Sequence, residues 1–185
     1  MALHDPSPKL TYEDYILFPD DGKRHEIIDG EHYVTAAPFV RHQRIARRLV
    51  FRLEGFLREH PVGELLFALT DVLLSPHDIV QPDLLFISNE RAGIVTEKNV
   101  QGAPDLVIEI LSDSTRRLDE VLKAYERFGA REYWIVDPHR KTAQVWERTA
   151  EGLRRRELLS AAAGDVLMSP LLPGLEIRLA EIFAV

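Results

Sequence analysis

The chain predicts an α/β fold with a mixed central sheet, on three observations. The runs "PDLVIEIL" (104–111) and "EYWIVDP" (132–138) have no obvious polar face, as expected of strands covered on both sides. The stretch between them has helical periodicity, so this part reads strand–helix–strand. Two hairpin-like segments come before it, which adds antiparallel pairing to the parallel pair.

In chain order, "LTYEDYILF" (10–18) predicts a short helix stopped by "PDDG". "RHEIIDGEHYVTAAP" (24–38) predicts a hairpin turning at Asp29-Gly30. From Val40 to Glu59, Ile45, Leu49, Leu53 and Phe56 recur at helical spacing, which predicts an amphipathic helix. "ELLFALTDVLLSP" and "DIVQPDLLFIS" read as two strand-like runs forming a second hairpin around a Ser-Pro-His turn. "NERAGIVTEKNVQG" is expected to be loop with one helical turn. After the strand at 104–111, "SDST" supplies candidate N-caps for a helix whose face carries Leu118, Val121, Leu122, Tyr125 and Phe128. Gly129 ends that helix, "TAQVWER" (142–148) alternates like an antiparallel partner of 132–138, and the C-terminal forty residues suggest further short strands.

The 185 residues, 45% hydrophobic and 29% charged, are expected to form a single domain over 1–185. No apolar run is long enough to span a membrane. "MALHDPSPKL" lacks a basic flank followed by an apolar stretch, so no secretory signal is expected. Zero cysteines exclude disulfides, thiolate metal sites and a cysteine nucleophile. They fit a reducing compartment, and a cytoplasmic protein is the expectation. A net charge of -7 argues against a surface that grips nucleic acid everywhere, so such binding must be local.

The candidate chemistry starts with an acid in the wrong place. Glu109 sits among Leu106, Val107, Ile108, Ile110 and Leu111. An ionised carboxylate in such an interior needs protonation, a cationic partner or a metal ion, unless the strand end reaches solvent. Asp105 and Glu109 share a strand face but lie about 13 Å apart at about 3.3 Å per residue. Two direct ligands of one magnesium ion lie only about 3–4 Å from each other. A neighbouring strand is about 4.8 Å away, which makes Asp83 of "QPDLLFI" the natural partner and leaves Asp105 to the turn into its strand. Two such acids form a hard-oxygen site suited to Mg2+ or Mn2+, although paired strand acids also occur without chemistry.

"VQPDLLFIS", "GAPDLVIEILSDSTRR" and "FGAREYWIVDP" together resemble the Uma-two family, bacterial restriction-endonuclease-type proteins classed as a domain of unknown function. "RHEIIDGE" and "RHQRIARRL" match as well, so the likeness spans nearly the whole chain. It implies the fold of the PD-(D/E)XK nuclease superfamily, a restriction-endonuclease-like mixed sheet flanked by helices. It also implies Asp83 as the motif aspartate and Glu109 as its D/E. A lysine two residues later falls on the apolar Leu111, and the resemblance instead places this role on Lys123 of the following helix. If that helix is regular over 115–128, Lys123 faces water, and it reaches the sheet only from a late or irregular start.

Glu26 matches an early family acid and is either a further metal ligand or an exposed strand residue. His42 is a substrate contact, a proton-transfer group or a surface helix histidine. Arg44, Arg48 and Arg52 lie along one helix side, to line a phosphate backbone or to form a solvated face or interface. Tyr133, Trp134 and Trp146 read as core or dimer contacts rather than base-stacking platforms. The expectation is a magnesium-dependent endonuclease cleaving DNA, with a homodimer plausible on base rates alone. The alternatives are a catalytically inactive relative that binds nucleic acid or protein, and hydrolysis of another phosphate ester.

Overall fold

The computed structural model describes residues 8–112 and 118–184. Helix α1 is Tyr12–Tyr15, followed by strands β1 (Arg24–Ile28) and β2 (Glu31–Thr35), helix α2 (Val40–Glu59), and strands β3 (Gly63–Phe67), β4 (Val72–Ser75), β5 (Asp78–Val80) and β6 (Leu84–Ser88). A 3-10 turn over Asn89–Ile94 leads to β7 (Val100–Gln101) and β8 (Leu106–Ile110), then α3 (Leu118–Phe128), β9 (Glu132–Asp137) and β10 (Thr142–Thr149). Strands β11 (Gly152–Ser160), β12 (Val166–Ser169) and β13 (Leu172–Arg178) and helix α4 (Leu179–Ile182) complete the described chain.

A six-stranded sheet in the order β11-β10-β9-β8-β6-β3 forms the centre. It is mixed as expected: β8 and β9 are parallel, and the other pairs are antiparallel. Residues of these strands alternate between two cores. Leu84, Phe86, Ile108, Trp134 and Val136 face Ile45, Leu49, Leu53 and Leu57 of α2. Leu85, Ile87, Val107, Tyr133 and Ile135 face Tyr125 of α3 together with Val72, Val80 and Val100. Those last three belong to a second sheet of order β2-β1-β5-β4-β7. Both faces of the central strands are therefore covered, which explains their lack of a polar side. Among the described residues no helix is long and apolar enough to cross a membrane.

The first hairpin turns as the sequence predicts, with Asp29 at φ 52° and Gly30 at φ 80°. Positive φ at both central residues matches the right-handed twist of the flanking strands. A Cβ at Gly30 would also lie 2.5 Å from the Lys9 side chain.

The second predicted hairpin differs. Each of its runs is two strands serving two sheets: β4 pairs with β5 around Pro76-His77, whereas β3 pairs with β6. Pro82 has no amide hydrogen for a ladder, and the chain changes sheets there. In α2 the buried stripe includes His42 and ends at Leu57, with Phe56 only half-buried. The caps expected in "SDST" lie outside the described residues except for Ser112.

Candidate acid-pair site

The register between β6 and β8 sets Leu84 opposite Ile108. Extended by one residue, it sets Asp83 opposite Glu109, on the face that carries Leu85 and Val107. The two carboxyl groups are close enough for Asp83 to raise the Glu109 carboxyl, and both line a cavity of about 520 Å³. Asp105 is at the far end of β8, fully buried, where its carboxylate accepts the Ser88 amide at 2.8 Å and pairs with Arg91 and Arg131. It ties loops together and does not line the cavity.

Asp83 is held from three sides. The Ile110 amide donates to Oδ2 at 2.8 Å, and His42 Nε2 donates to the same oxygen at 3.0 Å. Arg24, at the start of β1, donates to Oδ1. A second nitrogen of this guanidinium lies 3.6 Å from Glu109 Oε2. Burial pushes the Asp83 carboxyl up, but the His42 hydrogen bond and the Arg24 charge outweigh it and hold the group below the usual carboxylate range. Glu109 goes the other way. Burial and the neighbouring Asp83 charge raise it well above its ordinary value, so one proton on the pair favours Glu109.

Glu26 is buried on β1, two residues after Arg24, and accepts the Gln81 amide at 2.9 Å. It lines the same cavity and is not an exposed strand residue. His42 is likewise buried, and its Nδ1 has no partner among the described residues. Helical spacing could have found it, since His42 precedes Ile45 by three residues on the apolar stripe. The fully buried hydroxyls of Tyr125 and Tyr133 also lack partners among the described residues. Burial and the Glu109 charge push both phenols well up.

The basic residues divide by position. Lys123 is exposed on α3 and does not line the cavity. Arg44 is exposed outside the cavity lining. Arg48 donates to the carbonyls of Ile182 (3.1 Å) and Ala184, and Arg52 pairs with Glu181. Arg48 and Arg52 of the stripe therefore hold the C-terminal segment of the same chain. Arg47 and Gln43, on another side of α2, do line the cavity. Neither these two nor Arg24 stands out in the sequence as a site residue.

Asp83 and Glu109 could hold a divalent cation. Magnesium commonly binds through one or two carboxylates and keeps several waters. Two adjacent oxygen donors beside an open cavity fit that habit. Among the described residues, no cluster of three or more His, Cys, Asp or Glu side chains is arranged around a metal position.

The mixed sheet, covered on both faces, defines an α/β protein with two acids facing each other on adjacent strands. The family profile Uma2, described as "Putative restriction endonuclease", matches residues 12–180, and the chain belongs to that family. A crystal structure from Anabaena variabilis ATCC 29413, described as "a putative nuclease belonging to DUF820", superposes with a TM-score of 0.78 over 95% of this chain and 98% of that one. At 19% identity it shows the shared fold. No curated protein matches the chain.

Proposed function

We propose that the chain is a metal-dependent nuclease that hydrolyses phosphodiester bonds in DNA. The observation behind this reading is the meeting of Asp83 and Glu109 from adjacent strands at the wall of a cavity. Their carboxylates would hold Mg2+ or Mn2+, with Glu26 as a nearby third acid. When bound, such an ion polarises a phosphoryl oxygen and lowers the pKa of a coordinated water. His42 and the Ile110 amide fix the Asp83 carboxylate so that it need not reorganise during the reaction. Arg47 and Gln43 line the same cavity and suit contacts to a DNA phosphate.

The test is incubation of purified protein with single- and double-stranded DNA and Mg2+ or Mn2+, beside a Glu109→Ala control. The reading expects metal-dependent cleavage by the natural protein and none by the control. A cut that persists in the control belongs to a contaminant. A second reading, a catalytically silent binding protein of the same fold, is favoured by the placement of Arg24 between the acids and by the exposure of Lys123. DNA binding without cleavage would support it.

A further inference from the structure

The acid pair already has a cation, supplied by the chain itself. Arg24 uses one nitrogen on Asp83 and another near Glu109, so its fork spans both acids. Its side chain is 18% exposed and that of Asp83 4%, so water screens the contact weakly. Two buried acids without such a partner would carry a large desolvation penalty. Three donors already hold the Asp83 oxygens. Oδ2 accepts from His42 and Ile110, and Oδ1 accepts from Arg24. An incoming ion at Oδ1 therefore competes with the guanidinium for that oxygen.

Building on the acid-pair reading above, we propose that Arg24 is the resident counter-ion of Asp83 and Glu109 and exchanges with a divalent cation. A guanidinium and a metal ion at the same carboxylate oxygen repel each other, so each weakens the other's hold. Arg24 also lines the cavity, so the displaced side chain has room to turn into it. There its planar donor fork matches a phosphate's geometry. The exchange thus supplies a cation beside the reacting group where Leu111 supplies none and Lys123 is turned to solvent.

Calorimetric titration of Mn2+ into the natural protein, Arg24→Met, Arg24→Lys and Asp83→Ala tests the exchange. Arg24→Met should bind Mn2+ about tenfold tighter or more than the natural protein, since the competing charged hydrogen bond is gone. Arg24→Lys should fall between them, and Asp83→Ala should not bind. If Arg24→Met does not fold, Arg24→Lys decides the matter: tighter binding than the natural protein supports the exchange, and equal or weaker binding overturns it. Equal affinity in the natural protein and Arg24→Met overturns the exchange while leaving the acid-pair metal site intact. Binding in Arg24→Met but not in the natural protein supports Arg24 as the occupant and counts against the nuclease reading. No binding in any variant overturns both.

Discussion

Replacing Tyr133 by phenylalanine should stabilise the fold. The ring is fully buried on β9, and its hydroxyl has no hydrogen-bond partner among the described residues. Leaving a buried hydroxyl unsatisfied costs about 1–3 kcal/mol. Tyr133→Phe keeps the ring and deletes only that oxygen, so the folded state should gain about 1 kcal/mol or more. In a chain of this size, that is roughly 2–4 °C in Tm for each kcal/mol. Tyr133→Ala removes the ring as well and should cost about 3–5 kcal/mol. Urea denaturation of the three proteins at neutral pH measures both effects. Slower cleavage by the stabilised variant is also expected, because Tyr133 lines the cavity close to the Glu109 charge. If Tyr133→Phe loses stability, the hydroxyl is hydrogen-bonded in the folded protein after all.

Glu132 gives a pH signature away from the site. It is fully buried, and burial raises its carboxyl above the ordinary 4.5 despite hydrogen bonds from Ser169 and Trp134. A raised folded-state value means its contribution to stability is complete below 4.5 and is lost as pH climbs through the folded value. Melting temperatures of Glu132→Gln should therefore gain on the natural protein as pH rises from 4.5, and a constant difference would contradict the shift. On α2, Arg47→Ala should weaken DNA binding and lower the salt slope by about one, because the residue lines the cavity. Arg52→Ala should leave DNA affinity within about twofold, since Arg52 is engaged with Glu181. Fluorescence anisotropy across a salt series separates the two.

Where periodicity and turn chemistry act locally, the sequence was legible. The Asp29-Gly30 hairpin, the full extent of α2 and the parallel β8–β9 pair around α3 all follow from neighbouring residues. So does the meeting of Asp83 with Glu109, which needed only strand spacing and the rejection of Asp105. The division of the 64–88 stretch between two sheets was not legible, because each apolar run looks continuous and the partner strands are chosen by tertiary packing. Arg24 was missed for a related reason. It meets Asp83 across 59 positions, and no short-range pattern announces that contact. The Arg48 and Arg52 roles also depend on a distant segment, the C-terminal helix. His42 was not read as buried, because a histidine in an arginine-rich helix is ordinarily at the surface, although it stands on the apolar stripe.

Whether Asp83 and Glu109 together bind a metal ion is read most directly from an anomalous difference map of crystals soaked in Mn2+. One peak is expected within coordination distance, about 2.0–2.4 Å, of oxygens from both Asp83 and Glu109. A map with manganese elsewhere on the molecule, or with none at these two carboxylates, would contradict it.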